Sequence, residues 1–266
     1  LMQLILLEKN YSEGKVPQKV LLHKSGATAA VLKQLVKKGL IEILVERAQG
    51  SKSFYNKDFF ELSEAQSSAL NKINESFTDK SVTLLHGVTS SGKTELYIRL
   101  IDDCLKSGRQ ALYLLPEIAL TTQIITRLEK HFGNKLIVYH SRFSDNERAS
   151  VYTRMIENGI NNSEPLIVIG ARSSVFLPFN KLGLVIVDEE HEASYKQFDP
   201  SPRYHARDTA IVLAKLFEAK ILLGSATPSI ESYYNAINGK YGLVELFARH
   251  KDIAPPQIGE YKRAYF

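Results

Sequence analysis

From residue 62 onward the chain alternates short apolar runs with amphipathic stretches. The runs fall at 82–85, 111–115, 136–139, 166–169, 184–187 and 221–223. Apart from Thr83, each is apolar at consecutive rather than alternate positions, the pattern of strands covered on both faces. Spacers such as 94–106 and 119–131 are long enough for crossover helices. The pattern predicts an α/β lobe with a mostly parallel sheet and helices on both sides.

Residues 1–57 read differently. Residues 1–9 look like the tail of a helix, and Pro17 suits the first turn of a second. Thr28 can cap a third, with Val31, Leu32, Leu35 and Val36 on one face, Lys33, Gln34, Lys37 and Lys38 on the other, and Gly39 at its end. A strand at 40–46, a turn at 48–52 and a second strand through Phe54 and Tyr55 follow. Helices followed by a hairpin predict a small winged-helix-like module with the third helix as its recognition helix; such modules pack against protein as well as DNA. The expected organisation is therefore a winged-helix-like module at 1–57, an α/β lobe at 58–242, and a lead-in to a further lobe at 243–266.

Charge sharpens this division. Of 34 Lys and Arg and 29 Asp and Glu in 266 residues, ten basic and four acidic ones lie within 1–57, leaving 24 basic against 25 acidic elsewhere. The basic excess thus belongs to the N-terminal segment, as phosphate contact or a solvated lysine surface would require. Cys104 is the sole cysteine, which excludes an internal disulfide or a multi-cysteine metal site in this chain and fits a reducing compartment. No apolar run approaches the ~20 residues needed to span a bilayer. A cytoplasmic protein with no membrane partner is expected, and the apolar residues at both ends read as cuts in something longer.

The chemistry begins at 87–94, GVTSSGKT, which matches the phosphate-binding P-loop pattern between an expected strand and an expected helix. Gly87, Val88, Thr89, Ser90, Ser91 and Gly92 form a loop whose N–H groups can cradle phosphate oxygens. Lys93 can reach the β and γ phosphates, and the Thr94 hydroxyl can coordinate Mg²⁺. The apolar run at 184–187 then delivers Asp188, Glu189, Glu190 and His191. Asp188 is placed to hold Mg²⁺ through water and Glu189 to polarise an attacking water, a pairing that favours hydrolysis of ATP.

The DEEH sequence at 188–191, followed by GSATPS at 224–229, resembles motifs II and III of superfamily 2 helicases. LLPEIALTTQ at 114–123, YHS at 139–141, IGARSSVF at 169–176, SYKQ at 194–197 and RYHARD at 203–208 narrow the resemblance to the primosomal replication-restart helicases of bacteria. It runs from about residue 62 to 241 and implies a RecA-like P-loop lobe.

The resemblance implies several further roles. Gln66 would read adenine, and Pro116, Glu117, Gln123, Gly170, Arg172 and Ser173 would line a single-strand path. Tyr195, Lys196, Phe198, Arg203, Tyr204 and Arg207 would form an aromatic-rich loop that binds DNA and is coupled to hydrolysis. His191 would link motif II to the hydroxyls of Ser225 and Thr227 in a motif III of Gly224, Ser225, Ala226 and Thr227. The full-length protein would unwind DNA 3′ to 5′ at stalled forks and deliver the replicative helicase. Its partners would be forked or single-stranded DNA, other primosome proteins and single-strand-binding protein. The family's second-lobe arginine and zinc-binding cysteines do not follow in this sequence, so a lobe that binds nucleotide modestly and hydrolyses it poorly is expected.

Two alternatives stand beside this reading. A DNA-binding module that uses ATP only as a conformational ligand has no need of Glu189. A DEAH-type RNA helicase shares motifs II and III but leaves 203–208 unexplained.

Overall fold

The structure is a computed structural model that describes residues 29–38, 60–140, 143–161, 164–199 and 201–248. The chain divides into two units, Leu1–Ser51 and Lys52–Phe266. In the first, the described element is helix α1 (Ala29–Lys37), where the apolar periodicity places the third helix. The rest of the expected winged-helix-like module, residues 1–28 and the hairpin within 40–55, lies outside the described residues.

The second unit is built on a seven-stranded sheet whose paired neighbours are all parallel. In chain order it holds α2 (Glu64–Asp79), β1 (Val82–Gly87), α3 (Lys93–Lys106), β2 (Gln110–Leu114), α4 (Thr122–Phe132), β3 (Leu136–Tyr139), α5 (Asp145–Ile160), β4 (Ile167–Gly170) and β5 (Leu182–Asp188). A short antiparallel hairpin follows, β6 (Lys196–Gln197) and β7 (Tyr204–His205), then α6 (Ala206–Leu216), β8 (Lys220–Ser225), α7 (Ile230–Ile237) and β9 (Gly242–Leu246). The strand order in the large sheet is β3-β4-β2-β5-β8-β1-β9.

Consecutive apolar residues in the strands serve two cores. Val185, Val187, Leu112, Leu114, Ile221 and Leu223 pack on one face, with Val151 and Met155 of α5 and an alanine stripe, Ala206, Ala210 and Ala214, of α6. Leu184, Ile186, Ala111, Tyr113 and Leu222 pack on the other, with Ala69 and Ile73 of α2, Leu96 and Ile101 of α3, and Leu128 of α4. Truncating a fully buried strand residue such as Ile186 would cost roughly 2–5 kcal/mol.

The six expected strands are present, with bounds that differ by up to two residues at either end. Two elements differ from expectation. Residues 243–246, expected as lead-in, lie in β9, which pairs with β1 and so belongs to the lobe. The loop after Asp188 contains the β6–β7 hairpin, too short to leave a periodicity. Residues 249–266 lie outside the described residues.

Parallel pairing brings the carboxyl ends of β1, β8 and β5 to one edge. Asp188 is paired with Gly224, and Leu85 and His86 with Gly224 and Ser225. A crevice outside strand carboxyl ends is where open α/β sheets bind ligands.

Candidate functional site

β1 ends at Gly87, and the chain turns through 88–92 into α3. Ser90 (φ 64°) and Gly92 (φ 83°) adopt left-handed backbone, which curls successive N–H groups into an anion-binding nest. A Cβ on Gly87 would stand 3.1 Å from the Leu246 carbonyl and 3.2 Å from Ser91 Oγ, tighter than ordinary packing. Lys93 is the first residue of α3 and is nearly buried, its ammonium donating to the carbonyls of Gly87 at 2.8 Å and Val88 at 3.4 Å. The first N–H groups of a helix have no intrahelical acceptor and carry its positive end. The Ser91 hydroxyl is buried with no partner among the described residues. Residues 87–94 therefore offer unspent donors and a cation in one concavity, which fits a polyphosphate.

Gln66 is buried beside this loop, but both ends of its amide are engaged. Its Oε1 accepts from Ser63 N at 2.9 Å in the capping box of α2, and its Nε2 donates to the Ser91 carbonyl at 3.0 Å. Gln66, expected as an adenine reader, in this conformation braces the P-loop from behind.

Asp188 closes β5. Its Oδ1 accepts from the Tyr97 hydroxyl at 3.0 Å and from Glu189 N at 3.1 Å, and its Oδ2 from the Tyr113 hydroxyl at 3.2 Å. Burial pushes the carboxyl above its ordinary value and the Glu189 charge adds to this, while the two tyrosines and Lys93 oppose it. The same burial, with the Asp188 charge, raises Tyr97 and Tyr113 well above the ordinary phenol value, so both remain donors. Neither tyrosine is singled out by the sequence pattern.

Glu189 takes left-handed backbone (φ 46°), uncommon for a residue with a Cβ and a mark of functional strain. Its Oε2 lies 3.7 Å from His191 Nδ1. That nitrogen is hydrogen-bonded to Ser225 Oγ at 2.8 Å, and His191 Nε2 to Thr227 Oγ1 at 3.3 Å. Ser225 Oγ also accepts from Thr227 N at 3.0 Å, closing the turn around Ala226. Gly224 has to be glycine: a Cβ there would run into the Tyr97 hydroxyl.

The candidate strand-binding residues divide. Lys196, Phe198 and Arg203 are exposed on the hairpin, with the Lys196 ammonium 4.7 Å from the Phe198 ring centre. Tyr204 is half-buried edge-on to Phe176 at 4.8 Å. Arg172 donates to the Lys196 carbonyl at 3.3 Å, which ties the hairpin to β4's exit, and Ser173 beside it is half-buried. Glu117 and Gln123 are exposed, and Gln123 lines a groove of about 700 Å³ along α4 with Phe60, Arg127 and His131.

Burial corrects four expectations. Tyr195 is 1% exposed, its hydroxyl donating to the Asp188 carbonyl at 2.7 Å and the Leu114 carbonyl at 3.1 Å, so its ring belongs to the core. Arg207 is turned inward onto Glu190 at 2.9 Å. Pro116 is buried, and Gly170 is a packing glycine whose Cβ would meet Ser174 Oγ and the Tyr139 carbonyl.

A family model for DEAD/DEAH box helicases matches residues 63–236. Replication restart protein PriA of Bacillus subtilis is 38% identical over 250 residues, 92% of this chain and 30% of that protein. The same protein of Rickettsia felis is 50% identical over 198 residues, 74% of this chain and 29% of that protein. The chain thus spans about 30% of the length of these relatives. Among solved structures, RecG bound to a three-way DNA junction aligns with a TM-score of 0.50 at 21% identity, over 86% of this chain and 26% of that one. The Pyrococcus furiosus Hef helicase domain aligns with a TM-score of 0.50 at 14% identity, over 73% and 39%. At such identities these two speak for the RecA-like fold alone.

Proposed function

The chain belongs to the DEAD/DEAH box helicase family, and from that premise we propose that it is the ATP-binding lobe of a DNA-dependent ATPase that unwinds DNA during replication restart. The observation that carries the hydrolytic part is the Asp188–Glu189 pair, hydrogen-bonded through Tyr97 to the helix that starts at Lys93. The restart assignment rests on the similarity to the PriA proteins and on the residues of 114–123 and 203–208.

Each residue then has a task. The N–H groups of the loop and the start of α3, other than those of Val88 and Ser91, which donate to the Leu246 and Val88 carbonyls, and the Lys93 ammonium bind and orient the β and γ phosphates. The Thr94 hydroxyl and Asp188 carboxylate are hard oxygen donors suited to Mg²⁺, which binds through one or two protein oxygens plus substrate phosphates. When bound, the ion would neutralise charge on the phosphates. Glu189 accepts the proton of the attacking water, and its carboxylate faces His191, which reports to Ser225 and Thr227. Lys196, Phe198 and Arg203 offer a single strand a flat ring and two cations, which hold bases of any sequence.

Efficient turnover calls for a second lobe, whose arginine would contribute ~10³ to 10⁵ in rate; this lobe alone binds nucleotide modestly and hydrolyses it poorly. In the full-length setting we place 3′ to 5′ unwinding at stalled forks, primosome proteins and single-strand-binding protein as partners, zinc in the region beyond this chain, DNA contact by residues 1–57, and a cytoplasmic location. Among the described residues no helix is long and apolar enough to cross a membrane.

The experiment compares single-stranded DNA with RNA of the same sequence as activators of ATP hydrolysis by the full-length protein. Activation by DNA alone is expected. Activation by RNA alone would replace the proposal with an RNA helicase, and activation by neither would leave a DNA-binding module that uses ATP as a conformational ligand.

A further inference from the structure

One buried carboxylate accepts four hydrogen bonds, none of them from the P-loop. Glu190, one residue beyond the hydrolytic Glu189, is 0% exposed. Its Oε1 accepts from Ser229 N at 2.7 Å; its Oε2 accepts from Arg207 Nη1 at 2.9 Å, Ser229 Oγ at 3.0 Å and Ser232 Oγ at 2.8 Å. Its own N–H donates to the Gly224 carbonyl at 3.0 Å. A carboxylate with no access to water requires such a set of donors. The arrangement joins the end of β5, the end of β8, the first turn of α7 and the first turn of α6 on one side chain.

The position of Arg207 gives this junction a direction. It is the second residue of α6, and α6 begins where β7 ends. A strand resting on Lys196 and Phe198 would therefore pull on Arg207 through the Lys196–His205 pairing and the single residue, Ala206, between His205 and Arg207. Arg207 has no slack, because its Nε is held by Asp208 at 2.9 Å and its Nη1 also reaches Ser229 Oγ at 2.8 Å. On the other side, any shift of Glu190 acts through one peptide bond on Glu189, whose left-handed backbone leaves it few alternatives.

We propose that Glu190 and Arg207 form a positioning pair that transmits occupancy of the β6–β7 hairpin to the hydrolytic Glu189. The inference rests on the proposed DNA-stimulated hydrolysis. It differs from the sequence expectation for Arg207, which was direct contact with DNA. It is separate from the His191 contacts with Ser225 and Thr227, since Glu190 bonds to Arg207, Ser229, Ser232 and the Gly224 carbonyl instead.

The test uses the full-length protein with Arg207→Lys, which keeps the charge and loses the planar fork, and the neutral pair Glu190→Gln/Arg207→Met, which leaves no buried charge unmatched. Thermal melting first establishes that each folds. At saturating single-stranded DNA, kcat is expected to fall by ~5- to 150-fold, the size of ordinary coupling between sites. The KM for ATP and the Kd for DNA should each stay within about twofold of wild type, because neither ligand is touched. A merely structural pair would give a folded neutral double variant with wild-type kcat, and that result overturns the proposal. So does a DNA Kd that weakens while kcat at saturating DNA is retained, which would return Arg207 to the DNA surface. A wild type that DNA does not stimulate sinks the proposed function, and this inference with it; a stimulated wild type with normally stimulated variants sinks this inference alone.

Discussion

The Tyr97 hydroxyl donates to Asp188 Oδ1 at 3.0 Å, fastening the second turn of the P-loop helix to the end of β5. Space for that bond exists because residue 224, between them on β8, has no side chain. Tyr97→Phe removes one donor from a buried carboxylate and is expected to destabilise the lobe by about 1.5–3 kcal/mol. Gly224→Ala, which displaces the hydroxyl by a different route, should produce the same phenotype: lower urea midpoint and slower hydrolysis. A Gly224→Ala variant as stable and active as wild type would show that the bond does not organise the site.

The aromatic residues of 194–205 differ in burial, Tyr195 inside and Phe198 exposed, and two substitutions separate the roles this proposes. Tyr195→Phe should cost about 0.5–1.5 kcal/mol of stability, since its hydroxyl serves two carbonyls, with no change in DNA affinity. Phe198→Ala, at an exposed ring, should leave the melting temperature alone and weaken single-stranded DNA binding by about 1–3 kcal/mol. Fluorescence anisotropy with a labelled oligonucleotide and thermal melting read the two. A reversed pattern would place Tyr195, not Phe198, on the strand.

Much of this arrangement is legible in the sequence because it depends on local pattern. The strands of a doubly covered sheet are runs of consecutive apolar residues, and 87–94 carries its glycine, lysine and threonine in fixed order. β9 escapes because it is an edge strand with Leu243 and Glu245 exposed, so its five residues look like the start of a linker. Glu190 escapes for another reason. In sequence it is one of several acids after a strand, and its burial follows from Arg207 seventeen positions later and Ser229 thirty-nine later. Tyr195 and Phe198 are both aromatic residues of one loop, and only the fold sends one inward and the other out.

Two histidines predict how stability varies with pH. Burial, followed by the Arg127 charge, holds His131 below its ordinary value of 6.5. Burial likewise lowers His205, with Arg207 and Lys196 also lowering it against Asp208 and Glu190. A base whose folded value is depressed contributes stability that is present above its unfolded value and lost as pH falls through the folded one. The lobe should therefore lose stability on acidification below about 6.5, and His131→Gln/His205→Gln should lessen that loss. Urea midpoints measured down through this range check it; an unchanged slope in the double variant would assign the acid sensitivity elsewhere.

Glu189→Gln keeps the shape of the site and removes the base proposed for it. Hydrolysis is expected to fall by ~10² to 10⁴, the usual share of a positioned general base, with binding of a non-hydrolysable ATP analogue retained. Full retention of turnover would favour ATP as a conformational ligand.

The most direct measurement is the ATP hydrolysis rate of the full-length protein with and without a branched DNA fork, beside Lys93→Ala. Strong stimulation by the fork that disappears in Lys93→Ala is the predicted result, because the proposed phosphate-binding cation is the ammonium at the start of α3. Hydrolysis that ignores the fork, or that survives loss of Lys93, would contradict the assignment of this chain as the ATP-binding lobe of a DNA-driven motor.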